Sequence, residues 1–286
     1  MEKIGFIGLG IMGKPMVLNL LKAGYPVQVL SSSHAANEVN LAGASLCSSK
    51  KELAAAVDII ITMLPDSPEV EMVLNGSEGL LAAMHAGQLF IDMSTISPLV
   101  AKNIYTQMQE QGIEALDAPV SGGQVGAEAA TLSIMVGGNA AAFARALPVF
   151  QAMGKNIVHI GEAGAGQITK ACNQMIVGMT IQAVAEAFTL ADKAGVDLEK
   201  MREVLLGGFA QSRILDLHGK RIIERNFKPG FKIKLHKKDL DIALATGAEF
   251  EVALEGTAQV AAQMKKALDL GNGELDHSSL FLLLEN

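Results

Sequence analysis

Apolar residues in the first half of the chain follow two alternating patterns. Short continuous apolar runs predict strands at 3–8, 26–30, 58–64, 88–93, 113–119, 131–137 and 156–161. Between these runs, apolar residues three and four positions apart predict helices over 12–23, 50–57, 98–111 and 140–153. Strands that alternate with helices indicate parallel βαβ units with right-handed crossovers, so we predict an α/β domain over residues 1–162.

The pattern changes near residue 162, where "GEAGAGQ" forms a glycine-rich break. Apolar residues then recur at helical spacing from about 166 to 194, and Gly195 ends the run. A helix of about 28 residues is long for a globular protein. The remaining residues show helical spacing and few strand signals. We therefore predict an all-α C-terminal domain, residues 163–286, that begins with one long helix.

Composition and charge narrow the class of protein. Half of the 286 residues are hydrophobic, Trp is absent and there are 14 Met, a composition typical of α/β layers and Ala-rich helices. The formal net charge of −7 argues against a nucleic-acid partner. The N-terminus lacks signal-peptide features, and no apolar stretch looks long enough to span a membrane. We expect a cytoplasmic protein with reduced cysteines, Cys172 being a core thiol.

The segment "GFIGLGIMGKP" places Gly8, Gly10 and Gly13 in G-x-G-x-x-G spacing. The motif follows a predicted strand and opens a predicted helix, which is the context that makes it specific. Gly8 would form the tight turn, Gly10 would let backbone N–H groups approach a pyrophosphate, and Gly13 would allow close packing of helix on strand. A glycine-rich structural turn is the alternative. We predict a Rossmann dinucleotide-binding domain.

The end of the second predicted strand normally carries the residue that selects NAD or NADP. An acidic residue there favours NAD and an arginine favours NADP, but this chain reads "VLSSSHAAN". The hydroxyls of Ser31, Ser32 and Ser33 could bind either a 2′-phosphate or a 2′-OH, and no carboxylate repels a phosphate. We expect NADP or NAD as cofactor, with a slight preference for NADP.

Two further segments carry candidate chemistry. In "DAPVSGG", Ser121 and the N–H groups of Gly122 and Gly123 form a donor set that suits a carboxylate, although an ordinary Pro/Gly turn explains the same residues. In "GQITKACNQ", a helix would place Gln167, Lys170, Asn173 and Gln174 on one face.

Lys170 would stand in apolar surroundings and could give a proton to a carbonyl oxygen, with Asn173 holding the substrate or the lysine. A lysine that buries its stem and extends its ammonium group into water is the alternative.

The segment 225–244 places Lys237, Lys238 and Asp239 near the start of a helix that follows a Pro-Gly turn. One of these lysines could reach the cofactor, and a solvated basic patch is the alternative. The six histidines show no metal-ligand spacing, so we predict no metal site. Asp276, in "DHSSL", is interpreted as a helix cap.

Four blocks in this order together resemble the β-hydroxyacid dehydrogenase family, which includes the 3-hydroxyisobutyrate dehydrogenases. "GFIGLGIMGKPM" resembles its cofactor signature, "DAPVSGG" its substrate motif, "GAGQITKACNQ" its catalytic helix and "KDLDIAL" its late cofactor-contacting motif. The resemblance covers nearly the whole chain. It implies a Rossmann domain, a helical domain, and association through the helical domain into a homodimer or homotetramer.

The resemblance also implies roles for individual residues. Lys170 would be the catalytic acid/base, and the substrate would bind to Ser121, Gly122, Gly123 and Asn173. The cofactor would contact Gly8, Leu9, Gly10, Ile11, Met12, Gly13, Leu64, Pro65, Thr95 and Lys238.

Within the family, "GELDHSSL" and the segment 207–240 are most similar to tartronate semialdehyde reductases. This implies reversible NAD(P)H-dependent reduction of tartronate semialdehyde to D-glycerate. The alternatives are a 3-hydroxyisobutyrate, glyoxylate or succinic semialdehyde dehydrogenase on the same scaffold. A nucleotide-binding module without catalytic activity, or an enzyme acting on imines, is a further alternative.

Overall fold

A computed structural model describes residues 1–76 and 78–285. The chain folds into two compact units, Met1–Lys170 and Ala171–Asn286. The predicted architecture is confirmed: an α/β unit is followed by a helical one. The functional boundary between residues 162 and 163 stays a prediction.

Within its described residues, the first unit is built on a nine-stranded sheet. Its strands are β1 (Ile4–Ile7), β2 (Val27–Leu30), β3 (Ser45–Cys47), β4 (Ile59–Thr62), β5 (Leu89–Asp92), β6 (Glu114–Asp117), β7 (Val120–Ser121), β8 (Leu132–Gly138) and β9 (Gly154–Gly161). They lie in the order β3-β2-β1-β4-β5-β6-β8-β7, with β9 paired to β8. All seven predicted strands are present. The short strands β3 and β7 were not predicted from the apolar pattern.

One expectation about this sheet was wrong. Strands β1 to β6 pair in parallel, but β8 is antiparallel to both β6 and β7. The segment 122–131 between β7 and β8 is too short for a parallel crossover, which needs about a dozen residues or more.

Helices cover both faces of the sheet, which explains why its central strands are apolar throughout. They are α1 (Gly13–Lys22), α2 (Ala36–Leu41), α3 (Lys50–Ala56), α4 (Ser67–Asn75), α5 (Pro98–Glu110), α6 (Gly123–Glu128) and α7 (Ala140–Gln151). Along β4, Ile59 and Ile61 join one core cluster while Ile60 joins the other. The four predicted helices are confirmed, and the additional α2, α4 and α6 have at most nine residues each.

The predicted long helix is α8 (Ala165–Lys193), a single helix of 29 residues. It belongs to the first unit up to Lys170 and to the second unit from Ala171. The second unit continues with α9 (Leu198–Leu206), α10 (Arg213–Ile223), α11 (Ile233–Glu249) and α12 (Glu255–Asp269), then short 3₁₀ helices at Asn272–Glu274 and His277–Leu283. Its described part contains no strand.

Two expectations about α8 were wrong. We expected no apolar stretch long enough to span a membrane, but by length and composition alone α8 could cross one. The core helix of a soluble protein passes the same test.

The second expectation concerned Cys172, which is exposed and is not a core thiol. It lies two positions after Lys170, and residues two apart on a helix point in nearly opposite directions. Cys47 is buried, and both cysteines are free thiols.

Candidate active site

The residues predicted to bind the cofactor follow the carboxyl ends of neighbouring strands. The glycine loop follows β1, the serines follow β2, Leu64 and Pro65 follow β4, and Thr95 follows β5. These strands are parallel, so their carboxyl ends share one edge of the sheet. The chain order reverses at β1, which lies between β2 and β4. Such a switch point is where open α/β sheets bind their ligands.

The glycine loop has the geometry of a phosphate cradle. Gly8 has φ +104°, and a Cβ there would overlap the carbonyl oxygen of Met63. A Cβ at Gly13 would overlap the carbonyl oxygen of Gly8, so protein packing requires both glycines. A Cβ at Gly10 would meet no atom of the described residues within 4 Å, which leaves open space beside the backbone. Among the described residues, no side chain caps the start of α1, so its N–H groups fit a pyrophosphate.

The remaining loop residues differ in exposure. Leu9 is buried and Ile11 is exposed, whereas Met12 precedes the first residue of α1. Ser31 and Ser32 are exposed and Ser33 is half-buried. The backbone N–H of Ser31 donates to Cys47 and that of Ser33 donates to Leu30. The serine turn is therefore anchored through its main chain.

A buried carboxyl group supports the loops after β4 and β5. Asp92 Oδ1 accepts from the Thr62 hydroxyl at 2.7 Å and from the Ser94 N–H at 3.2 Å. The Ser94 hydroxyl in turn accepts from the N–H of Leu64 at 2.8 Å. Burial raises the pKa of Asp92 to about 6, against the lowering effect of these hydrogen bonds.

The predicted substrate motif lies at the start of α6. Ser121 pairs with Ser133 across the antiparallel ladder between β7 and β8. Gly122 and Gly123 follow with φ values of +137° and +60°. The φ of Gly122 suits glycine alone, whereas a value near that of Gly123 also occurs at Ala130, with φ +53°.

The polar stripe predicted on α8 is present. Lys170 is 6% exposed, Gln167 and Gln174 are also buried, and Asn173 is half-buried. Within the second unit, Asn173 donates to Gln174 Oε1 at 2.7 Å. Lysine is among the residues least often buried, and burial is therefore what distinguishes Lys170 from an ordinary surface lysine.

Asp117 accepts from the first turn of α8. Its Oδ1 accepts from the Gly164 N–H at 2.7 Å and its Oδ2 from the Gln167 N–H at 2.8 Å. Burial raises the pKa of Asp117, although these backbone hydrogen bonds oppose the shift. A carboxylate at a helix N-terminus is stabilised by the helix dipole. The carboxylate of the "DAPVSGG" motif therefore bonds the start of the helix that carries Lys170.

Lys238 lies on α11 in the second unit. Its Nζ is 2.9 Å from Asp239 Oδ1, and Asp239 Oδ2 accepts from the Gln174 side chain at 2.6 Å. Lys237 instead bonds Asp241 one turn later. The two adjacent lysines thus differ: Lys238 joins a buried network and Lys237 a surface ion pair.

Comparisons with known proteins agree with this geometry. The family described as the NAD binding domain of 6-phosphogluconate dehydrogenase matches residues 3–161, and the family described as NAD-binding of NADP-dependent 3-hydroxyisobutyrate dehydrogenase matches residues 164–284. The chain is 47% identical to 2-hydroxy-3-oxopropionate reductase of Escherichia coli K12, over 99% of this chain and 97% of that protein.

The chain belongs to the β-hydroxyacid dehydrogenase family related to 3-hydroxyisobutyrate dehydrogenase.

Other members of this family are also similar over their whole length. The 3-hydroxyisobutyrate dehydrogenase of Pseudomonas aeruginosa is 37% identical over 98% of this chain and 97% of that protein. The solved structure of Mycobacterium tuberculosis 3-hydroxyisobutyrate dehydrogenase with L-serine has a TM-score of 0.91 and 36% identity, covering 100% of both chains. This dehydrogenase is therefore an NAD(P)-dependent oxidoreductase acting on a CH–OH group of hydroxyacids, and NAD or NADP is its cofactor.

The fold also gathers three histidines of this dehydrogenase that sequence spacing did not connect. His277 Nδ1 lies 2.9 Å from His236 Nδ1, and His277 Nε2 lies 3.2 Å from His218 Nε2. His218, Asp276 and His277 offer donor atoms within 4.8 Å of one another, which could hold a metal ion. Both oxygens of Asp276 already accept hydrogen bonds, from Ser278, Gly230 and Phe231. The cap role interpreted for Asp276 is confirmed.

When all three rings are neutral, their hydrogen bonds determine which nitrogen of each ring carries the proton. His236 Nε2 is 3.0 Å from the carbonyl oxygen of Gln174, which only accepts, so His236 carries its proton on Nε2. His277 then donates from Nδ1 to His236, and His218 donates from Nε2 to His277. This leaves His218 Nδ1 as an acceptor, and it has no hydrogen-bond partner among the described residues.

Proposed function

We propose that this dehydrogenase reversibly reduces tartronate semialdehyde (2-hydroxy-3-oxopropanoate) to D-glycerate. Its 47% identity to an E. coli 2-hydroxy-3-oxopropionate reductase over 99% of the chain supports this substrate. The observation that carries the chemistry is Lys170, a lysine 6% exposed on the helix that follows the nucleotide-binding sheet. A buried ammonium group can donate a proton that a reduced carbonyl oxygen requires.

Each predicted residue has a proposed role in this reaction. When bound, NAD(P)H supplies the hydride. Ser121 and the N–H groups of Gly122 and Gly123 would bind the substrate carboxylate through charge-assisted hydrogen bonds. Lys170 would give its proton to the carbonyl oxygen during reduction and accept one during oxidation. Asn173, one turn later on α8, would bind an adjoining substrate oxygen.

The cofactor would be bound by residues of the sheet edge and by one lysine of α11. The pyrophosphate would lie against residues 8–13, and Ser31, Ser32 and Ser33 would bind the ribose or its 2′-phosphate. Leu64, Pro65 and Thr95 would line the nicotinamide, and Lys238 would contact the cofactor. The absence of a carboxylate from the serine turn supports a slight preference for NADP. We also propose a cytoplasmic location and a homodimer or homotetramer.

A second candidate substrate follows from the other relatives. Two 3-hydroxyisobutyrate dehydrogenases are 36–37% identical to this chain over essentially its full length. The same donor set and lysine would serve 3-hydroxyisobutyrate, because the carboxylate and the reacting carbon are common to both substrates. Pocket side chains alone would distinguish them.

A matrix of substrates and cofactors tests this proposal. We expect the highest kcat/KM for tartronate semialdehyde, above glyoxylate, succinic semialdehyde and methylmalonate semialdehyde, with NADPH at least equal to NADH. A higher kcat/KM for 3-hydroxyisobutyrate or methylmalonate semialdehyde would favour the second candidate.

The variant Lys170→Ala tests the proton donor. Loss of one positioned acid/base group costs about 10²–10⁴ in rate, so kcat should fall at least about a hundredfold. NADPH affinity, measured by fluorescence titration, should change little because the glycine loop is untouched. Unchanged turnover would remove Lys170 from the mechanism.

A further inference from the structure

The side chain of Gln167 forms two hydrogen bonds with the loop that carries Thr95. Gln167 is 1% exposed and lies in the first turn of α8. Its Nε2 donates to the carbonyl oxygen of Ser94 at 2.8 Å, and its Oε1 accepts from the N–H of Ile96 at 3.2 Å. One amide therefore uses its donor and its acceptor on the two neighbours of Thr95.

The same loop is bonded to the loop after β4. The Ser94 hydroxyl accepts from the Leu64 N–H at 2.8 Å, and the Ser94 N–H donates to the buried Asp92. Leu64 and Thr95 are the residues proposed to line the nicotinamide. Gln167 is thus connected to both proposed nicotinamide loops through one residue, Ser94.

The main chain of Gln167 is fixed to a different strand. Its N–H donates to Asp117 Oδ2 at 2.8 Å, at the end of β6. A Cβ added to Gly166 would lie 2.8 Å from that oxygen and would overlap the carbonyl oxygen of Met135. A Cβ added to Gly137 would lie 2.5 Å from Asp117 Oδ1. Because Gly137 and Gly166 lack a Cβ, the first turn of α8 packs directly against the carboxylate of Asp117.

Lys170 follows Gln167 by three residues on the same helix. Three residues are less than one helical turn, so backbone hydrogen bonds transmit the position of Gln167 to Lys170. We propose that Gln167 is a positioning residue of the reaction: it fixes Lys170 relative to the loops of Leu64 and Thr95. This inference rests on the proposed function, in which those loops line the nicotinamide and Lys170 donates the proton.

The variant Gln167→Leu tests the inference. It retains side-chain volume but removes both bonds to the Thr95 loop. A displacement of about 1 Å can cost about a hundredfold in rate, so we expect kcat and the single-turnover rate of NADPH oxidation to fall about tenfold to a hundredfold. The Kd for NADPH should change little. Gln167→Glu, which keeps the acceptor for Ile96 but cannot donate to Ser94, should have an intermediate kcat and serves if the leucine variant does not fold.

Gln88→Leu is the matched control. Gln88 is also 1% exposed, and its side chain bonds the main chain of Ala54, Val57 and His85. These three partners lie outside the Thr95 loop and outside α8. We expect both leucine variants to lower Tm, and Gln167→Leu alone to lower kcat. An equal loss of kcat in both variants would overturn the inference, because loss of general stability would then explain the effect.

A double-mutant cycle with Lys170→Ala shows whether Gln167 acts through the lysine. With Lys170 absent, its position no longer matters, so adding Gln167→Leu should lower kcat little further. Losses that multiply in the double variant would overturn the positioning role. Full turnover in Lys170→Ala alone would instead contradict the proposed function, since that variant leaves Gln167 intact.

Discussion

Gly10 and Gly13 lie three residues apart around the start of α1, and an added methyl group would meet opposite surroundings at the two positions. At Gly13 it would overlap the carbonyl oxygen of Gly8, whereas at Gly10 it would meet no atom within 4 Å in residues 1–76 and 78–285. Protein packing therefore explains Gly13 but not Gly10. The open space at Gly10 fits a pyrophosphate that approaches the main chain closely.

Two alanine variants separate these roles. Gly10→Ala should leave Tm unchanged and weaken NADPH binding by about tenfold, ~1.4 kcal/mol. Gly13→Ala should lower the free energy of unfolding by about 2 kcal/mol or more, because backbone atoms must move to admit the methyl group. Thermal unfolding and fluorescence titration measure the two effects. A large loss of stability in Gly10→Ala would show that packing, not the ligand, requires this glycine.

At the scale of single elements, α8 carries two glycines for different reasons. Gly166 lies in the first turn against Asp117 and Met135, with no room for a Cβ. Gly178 lies in the helix interior, where a Cβ would be 3.4 Å from His236 Nε2, an ordinary van der Waals distance. Helix propensity favours alanine at both positions, so packing decides whether each substitution raises or lowers the free energy of unfolding.

The same substitution on one helix should therefore have opposite effects. Gly178→Ala should raise the free energy of unfolding by about 0.5–1 kcal/mol. Gly166→Ala should lower it by about 2 kcal/mol or more and should reduce kcat, because the start of α8 must move away from Asp117. Urea unfolding and steady-state kinetics test both variants. Stabilisation by Gly166→Ala would contradict the close packing at the helix start.

The sequence predicted long elements better than contacts between distant ones. Continuous apolar runs identified seven strands, and helical spacing identified α8 nearly to the residue. Lys170 and Gln167 were placed on one face because helix periodicity is local. The bond from Gln167 to Asp117 spans 50 positions, and the contact of His277 with His218 spans 59. No local pattern encodes such pairs, because the topology of the fold creates them.

Across the whole molecule, two buried groups respond to acid in opposite ways. Burial lowers the pKa of His218 in the second unit to about 4, opposed by the nearby Asp276 carboxylate and aided by Arg221 and His236. Between pH 6.5 and 4 the unfolded state therefore binds more protons at His218, and folded stability falls as pH falls. Asp92, with a pKa of about 6 in the first unit, binds its proton first in the folded state. Its protonation therefore raises stability as pH falls through 6.

Between pH 7 and pH 5, we expect these two effects to change the free energies of unfolding of the two units in opposite directions. The His218 contribution should destabilise residues 171–286 by on the order of 2 kcal/mol, and the Asp92 contribution should stabilise residues 1–170 by on the order of 1 kcal/mol. Hydrogen-exchange protection factors for each unit, compared at the two pH values, measure the change.

Non-titrating variants isolate each contribution from the other acidic groups. His218→Gln should remove the His218 part of the pH dependence in the second unit, and Asp92→Asn the Asp92 part in the first. An undiminished pH dependence in either variant would assign the effect to another group.

The exposed thiol on α8 makes the helix that carries Lys170 accessible to spectroscopy. Cys172 is exposed, whereas Cys47 is buried and burial, together with Glu52, raises the pKa of its thiol. A maleimide dye should consequently label the natural sequence at one position, two residues beyond Lys170, without any engineered cysteine. Under the proposed function, in which Lys170 donates the proton, fluorescence from that dye should change when coenzyme or substrate binds.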